Sequence, residues 1–155
     1  ETTQFQNLAL AGEEFGTVPN LAHTSLARYV CVAPTRTEAL AQADELRLRL
    51  HERRRAFARL RGDDPEALVL RSESEFIRTQ TIVGSPDDCI RQIHQIVADL
   101  GSGHIRCTFN GTGTVDPVTT LRGMELFARE VLPIIHNDTS SEVSTSQDRG
   151  AHSHD

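Results

Sequence analysis

The stretch from Ile82 to Ile135 constrains the fold more than any other part of the chain. It begins with a short β-branched run, and the residues from Gly84 to Asp88 then read Gly-Ser-Pro-Asp-Asp. A serine cap, a proline in the first turn and acidic residues beside it are typical of a helix start. After a further strand pattern, Asp116-Pro117 marks a second helix start. This repeated strand–helix order predicts parallel strands joined by crossover helices.

Apolar residues at helical spacing predict one buried face on each of these two helices. On the first helix they are Ile90, Ile93, Val97 and Leu100. On the second they are Leu121, Met124, Phe127, Ala128 and Val131. In the strand between the helices, Ile105, Cys107 and Phe109 alternate with more polar residues, as a period of two requires.

Upstream, the same order of strand and helix occurs once more. Arg28 to Ala33 is almost continuously apolar, which is typical of a buried parallel strand. Thr35 and Glu38 form a capping-box pattern that opens a long helix to about Leu60. Its expected buried stripe is Ala39, Leu40, Ala43, Leu46 and Leu50. The connection over 61–80 is looser, with a short helix expected at about Glu66 to Arg71.

Together these segments resemble the C-terminal end of the luciferase-like flavin monooxygenases. The resemblance rests on the run from Ile82 to Asp88, on Phe109-Asn110-Gly111, and on the helix from Arg122 to Pro133. The segment Arg28 to Ala39 resembles the sixth strand of that family and the start of its next helix. The ordered match extends from about Leu8 to Ile135.

The resemblance implies an α/β fold that is the C-terminal portion of a (β/α)8 TIM barrel. Such a barrel usually takes about 250 residues, and this chain has 155. We therefore expect residues 1–135 to be the C-terminal part of a barrel whose earlier strands lie elsewhere. Residues 136–155 are nearly devoid of large apolar side chains and are expected to form a disordered polar tail.

Candidate site residues follow from the barrel geometry, which places active sites at the carboxyl ends of the strands. On the last strand, Asn110 and Gly111 lie nearest that rim and are the candidate flavin-binding residues. Arg78 is a weak candidate for steadying an anionic substrate or flavin intermediate, with a surface pair to Glu73 or Glu75 as the alternative. The glycine-rich turn from Gly111 to Thr114 has the composition of an anion site, but Asp116 would repel an anion there.

The resemblance further implies that the full-length protein is a monooxygenase that uses reduced FMN and O2 on a small organic substrate. A separate reductase would supply the reduced flavin, and the full-length protein would form a homodimer. A deazaflavin-dependent oxidoreductase of the same fold is the alternative cofactor assignment. The main flavin-phosphate contacts would lie upstream, so this chain alone is expected to be inactive.

Composition and motifs exclude several other functions. A formal charge of −6 argues against nucleic-acid binding. No apolar run suits a membrane span and no signal peptide is visible, which predicts a cytoplasmic protein. Cys31, Cys89 and Cys107 lack metal-ligand spacing and are expected to be small buried side chains. A non-catalytic α/β interaction module remains open as a second functional class.

Overall fold

A computed structural model describes residues 7, 10–17, 25–100, 104–111, 113 and 115–137. The elements are β1 (Ser25–Val32), α1 (Arg36–Arg61), α2 (Glu73–Gln80), β2 (Thr81–Gly84), α3 (Pro86–Leu100), β3 (His104–Thr108) and α4 (Pro117–Glu130). A 3-10 turn at Pro65–Ala67 lies between α1 and α2, and residues 132–137 form a further helical segment.

The three strands form one parallel sheet in the order β2-β1-β3. The second half of β1 pairs with β2, from Tyr29 opposite Thr81 to Val32 opposite Gly84. The first half pairs with β3, from Ser25 opposite His104 onward. The predicted parallel arrangement is therefore confirmed. Consecutive strands of a barrel are neighbours, so the central position of β1 differs from the order that a barrel predicts.

Helices cover both faces of this sheet and create two separate hydrophobic clusters. One cluster joins alternate residues of β1 to α3 and α4; its buried members are Val30, Val32, Ile82, Cys89, Ile93, Phe127 and Val131. The other joins the opposite face to α1 and α2; its buried members are Cys31, Ala33, Ala39, Ala43, Leu46, Phe76 and Val83. Across the sheet, the chain moves from β1 to β2 on one side and then back past β1 to β3 on the other side. Because both crossovers are right-handed, these opposite movements place the connecting helices on opposite faces of the sheet.

The long helix α1 begins and ends as the sequence predicts. The Thr35 hydroxyl accepts from the Glu38 N–H, and the Glu38 carboxylate accepts from the Thr35 N–H, so the capping box is present. Gly62 ends the helix with a φ of 80°. Ala39, Ala43 and Leu46 are buried against the sheet, and the two small alanines allow the helix axis to approach β1 and β2 closely.

The prediction of a short helix at about Glu66 to Arg71 is wrong. Pro65–Ala67 forms only a 3-10 turn, and the α-helix starts later, at Glu73. Ser72 caps it by accepting the Glu75 N–H through its hydroxyl, and Phe76 inserts into the cluster beneath α1. The buried phenylalanine and the serine cap, both further along the chain, decide where this helix forms.

The predicted buried faces of α3 and α4 are partly wrong. On α3, Cys89 and Ile93 are buried, whereas Val97 is 43% exposed. On α4, Phe127 and Val131 are buried, whereas Leu121 and Met124 are 58% and 44% exposed. At Gly123 a Cβ would lie only 3.3 Å from the Val32 carbonyl oxygen. This close approach fixes the rotation of α4 and turns Leu121 and Met124 away from the sheet.

Parts of the predicted organisation lie outside the described residues. Of the tail expected at 136–155, His136 and Asn137 belong to the helical segment 132–137, and 138–155 fall outside the description. None of the described helices is long and apolar enough to cross a lipid bilayer.

We predict that Gly84→Ala destabilises the chain more than Gly62→Ala does. Both glycines have positive φ, 140° and 80°, so both substitutions strain the backbone. A Cβ at Gly84 also lies 2.4 Å from the Asp88 Cβ, whereas nothing lies within 4 Å at Gly62. We expect losses of about 3 kcal/mol for Gly84→Ala and about 1 kcal/mol for Gly62→Ala, measured by urea unfolding. Equal losses would show that the contact with Asp88 does not constrain this turn.

Candidate functional site

The loop after β3 is shaped by Asn110. Its side-chain amide donates to the Val115 carbonyl oxygen and accepts from the Val115 N–H, both at 2.9 Å. Its backbone has a φ of 45°, in the left-handed region that asparagine tolerates better than most residues. The main-chain carbonyl oxygen of Asn110 also accepts from the Gly113 N–H at 2.9 Å. The side-chain amide of Asn110, predicted to contact a flavin, therefore holds its own loop closed.

Gly111 occupies a place where a side chain does not fit. A Cβ there would lie 2.4 Å from the Thr108 Cγ2 atom and 3.7 Å from Cε1 of Tyr29. Its backbone borders an open cleft of about 520 Å³ beside Tyr29. Gly111 is thus at the carboxyl end of β3, as predicted, and presents main chain rather than a side chain to the cleft.

The start of α4 is already occupied by a carboxylate. Asp116 accepts from the Thr119 N–H at 2.8 Å and from the Thr119 hydroxyl at 2.9 Å. These hydrogen bonds lower the pKa of Asp116 below its ordinary value, so it is charged at neutral pH. A negative group at this position competes with any anion for the helix N-terminus. Thr112 and Thr114, the other residues of the expected anion turn, lie outside the described residues.

The predicted sites do not converge on one cavity. Arg78 is exposed in the last turn of α2 and borders a cavity of about 540 Å³ along the outer edge of β2. Gly111 borders the cleft beside Tyr29, and Asn110 borders a space of about 20 Å³. In the described part of the chain Arg78 forms no ion pair with Glu73 or Glu75. The predicted site residues therefore lie in two separate places, Asn110 and Gly111 in the loop after β3 and Arg78 on α2.

A crevice lies beside the carboxyl end of β1, the strand at which the strand order reverses, and between α1 and α4. In open α/β sheets, ligands bind at such switch points. The cavity there measures about 480 Å³. Its polar lining comes from α1 and α4: Glu38, Gln42, Thr119, Arg122, Glu125 and Arg129. The sequence signal that marks it is Gly123 within a helix, since a glycine in a helix interior indicates close packing.

The cleft beside Tyr29 was missed by sequence analysis. Arg53 and Arg54 stand in a charge run that reads as a solvated helix face, and both are indeed exposed. The structure adds Arg47 from the same helix and Arg71 from the following connection. Because Arg71 joins them only through the fold of the 61–80 connection, no local pattern reveals this grouping of cations.

A polar cluster at the turn between β2 and α3 ties three elements together. The Asp88 carboxylate accepts from the Ser85 N–H at 3.1 Å and from its hydroxyl at 3.0 Å. It also pairs with Arg36 at 3.2 Å and with Arg91. Burial alone would raise the pKa of Asp88, but the Ser85 hydrogen bonds and the two guanidinium groups together lower it. The ionised carboxylate is buried yet fully paired, which indicates a structural role.

The three cysteines behave as predicted. Cys31 and Cys89 are buried and Cys107 is half-buried. Burial raises the pKa of the Cys31 and Cys89 thiols to about 12 and raises the pKa of Cys107 as well, so they stay protonated and unreactive at neutral pH. Among the described residues, no group of histidine, cysteine and acidic side chains is arranged to hold a metal ion.

Comparison with known proteins gives a likeness among solved structures. No protein-family model and no curated protein sequence matches the chain. Among solved structures, the chain resembles the oxygenating constituent of 3,6-diketocamphane monooxygenase from the CAM plasmid of Pseudomonas putida, a type II Baeyer-Villiger monooxygenase in complex with FMN. The TM-score is 0.52 at 24% identity, over 81% of this chain and 37% of that one. The chain thus shares an α/β fold with part of that enzyme.

We predict that Asn110→Ala destabilises the loop more than Asn110→Gly. Both substitutions remove the two hydrogen bonds to Val115, but only alanine is strained at a φ of 45°. We expect a loss of about 2 kcal/mol for glycine, from two hydrogen bonds, and about 1 kcal/mol more for alanine. Urea unfolding measures both. Unchanged stability in both variants would mean that the Asn110 amide is available for a ligand.

We predict that Asp88→Asn lowers the melting temperature at pH 7 and flattens its acid dependence. A carboxylate whose pKa is lowered on folding stabilises the native state above its unfolded pKa of about 3.9. That contribution disappears as the pH falls through the lowered pKa. The melting temperature of the parent chain should therefore fall more steeply than that of the variant below about pH 4.

The exposed neighbour Asp87 provides the matched control, since Asp87→Asn removes the same charge outside the cluster. Identical acid profiles for the parent chain and Asp88→Asn would contradict the proposed role of the cluster.

Proposed function

We propose that this chain is part of a flavin-dependent oxidoreductase of the luciferase-like monooxygenase type. The observation that carries the proposal is the fold likeness to an FMN-bound monooxygenase over 81% of the chain. The ordered resemblance of the segments between Leu8 and Ile135 to the same family supports it independently of the fold. In this proposal the enzyme uses reduced FMN and O2 on a small organic substrate.

We further propose that the whole protein is a (β/α)8 barrel. The exposed apolar residues of α4 support this, because Val118, Leu121 and Met124 lie along one side of the helix and are each at least 44% exposed. Such a stripe is suited to packing against further chain. In a barrel α1 and α4 would lie on the same face of the sheet. In a barrel of the complete protein β3 would therefore pair with β2 rather than with β1, and the order β2-β1-β3 would hold for the present chain alone.

The described residues do not form a cradle for the flavin phosphate at the switch-point crevice. The helix N-termini near it already carry carboxylates, since Glu38 accepts the Thr35 N–H and Asp116 accepts the Thr119 N–H, and these carboxylates repel an anion. Asn110 already uses its amide on Val115. The flavin would supply the redox chemistry when bound, and its phosphate would be held away from this crevice. Arg78 and Gly111 remain proposed contacts to substrate and flavin.

A reductase that supplies reduced flavin and a homodimeric assembly belong to the same proposal. The deazaflavin-dependent oxidoreductase is the alternative cofactor assignment. A cytoplasmic location is proposed with them.

The test is an assay of the protein encoded by the complete gene. It is supplied separately with chemically reduced FMN and with a reduced deazaflavin, with and without O2, and a panel of small ketones and aldehydes. We expect product to form only with reduced FMN and O2, with incorporation of one atom of labelled oxygen. Turnover with the deazaflavin in the absence of O2 would assign the alternative cofactor. No turnover with either would contradict the proposed oxidoreductase.

The coverage of both sheet faces favours one other candidate, a non-catalytic α/β interaction module. Helices pack on each side of β1 in two complete clusters, as in a self-sufficient three-layer domain. The same assay separates the two functions, because a module predicts neither flavin turnover nor flavin binding by the complete gene product.

A further inference from the structure

The cleft beside Tyr29 combines arginine side chains with aromatic surface. Four arginines line it: Arg47, Arg53, Arg54 and Arg71. Its apolar walls come from Tyr29, Leu50, Phe57, Leu70 and Phe76. No aspartate or glutamate is among the described residues that line it, although the chain as a whole carries a net charge of −6. A local excess of positive charge on an acidic protein needs a physical explanation.

The arginines of this cleft are not consumed by ion pairs. Only Arg47 is engaged, with the Asp44 carboxylate at 2.6 Å and the Arg71 carbonyl oxygen at 2.8 Å. Among the residues that the structure describes, Arg53, Arg54 and Arg71 form no salt bridge. By contrast, Arg49 on the same helix pairs with Glu45, and Arg55 pairs with Glu66. In the described part of the chain, three of the four arginines that line the cleft are therefore available for an external anion.

The aromatic part of the cleft adds a second recognition element. The Arg53 guanidinium lies 5.5 Å from the centre of the Phe57 ring, and Phe57 is 48% exposed. Tyr29 and Phe76 reach the cleft from β1 and α2. A volume of about 520 Å³ is within the range of small-molecule sites. A guanidinium beside an exposed ring suits a flat ligand that carries an anionic group.

We propose that this cleft binds a planar aromatic molecule bearing a phosphate group. The phosphate interacts with Arg53, Arg54 and Arg71 through charge-assisted hydrogen bonds, and the ring lies against Phe57 and Tyr29. This binding does not depend on the proposed flavin-dependent activity, because it uses only residues of the present chain.

The test measures binding of 1-naphthyl phosphate to the 155-residue chain by ligand fluorescence, with 1-naphthol and inorganic phosphate as the separated ring and anion. We expect 1-naphthyl phosphate to bind at least tenfold more tightly than either part, since one charge-assisted contact accounts for about that factor. Its affinity should fall steeply as the salt concentration rises. Equal affinities for 1-naphthyl phosphate and 1-naphthol would overturn the proposal.

Substitutions of the cleft arginines test where 1-naphthyl phosphate binds. Arg53→Gln/Arg54→Gln should lower the affinity for 1-naphthyl phosphate about tenfold and leave the affinity for 1-naphthol unchanged. The control is Arg49→Gln/Arg59→Gln, which removes the same two charges from the same helix outside the cleft and should have no effect. Equal weakening in both double variants would contradict the assignment, since it would reflect net charge alone. Circular dichroism of each variant establishes that the helix is intact.

FMN and riboflavin form a second matched pair, with the same ring system and different charge. FMN binding that is lost in Arg53→Gln/Arg54→Gln and kept in the control would support the cleft and identify a flavin as its occupant. Absence of FMN binding with retained naphthyl phosphate binding would support the cleft and assign it to another aryl phosphate. The assay of the complete gene product is separate, so a failure of either proposal can be recognised without the other.

Discussion

The pairing of β1 on both of its edges is the constraint on which the rest of the structure depends. Its second half holds β2 and its first half holds β3. Its alternate side chains supply both hydrophobic clusters, with Val30 and Val32 on one face and Cys31 on the other. Helices of both layers are therefore positioned through a single strand. A polar substitution at Val30 or Val32 would disturb the layer of α3 and α4, and one at Cys31 would disturb the layer of α1 and α2.

The position of β1 also decides which polar groups remain available for function. At the carboxyl ends of the strands, Asp88, Asn110 and Asp116 all complete local turns and helix starts. These hydrogen bonds stabilise the connections that bring the helices back onto the sheet. The side chains that remain available for ligands are consequently mainly on the helices, in particular the arginines of α1 that line the cleft beside Tyr29. Recognition is thus built mainly on a helix, with Arg71 added by the connection between α1 and α2.

The features that sequence predicted well are local. The Thr35–Glu38 capping box, the Ser85 and Asp116 helix starts and the alternation of Ile105, Cys107 and Phe109 each depend on residues a few positions apart. The structure contains all of them. Short-range hydrogen bonds and periodicity determine these features, so a single sequence is sufficient to find them.

The features that sequence predicted poorly depend on distant partners. The orientation of α4 follows from the contact of Gly123 with Val32, which overrides the apolar stripe of Leu121 and Met124. The start of α2 depends on where Phe76 can be buried. The cleft beside Tyr29 includes Arg71, which the 61–80 connection brings into contact with α1. The strand order is likewise non-local, since identical strand and helix segments are compatible with a barrel and with an open sheet.

The most direct test of this account is the strand order in solution. Cross-strand nuclear Overhauser effects in the isotope-labelled chain report which strands are neighbours. The account predicts contacts from Cys31 to Val83 and from Ala27 to Arg106, in agreement with the registers of β1 with β2 and β3. Contacts between β2 and β3, together with none between β1 and β3, would contradict it and would establish the strand order of a barrel.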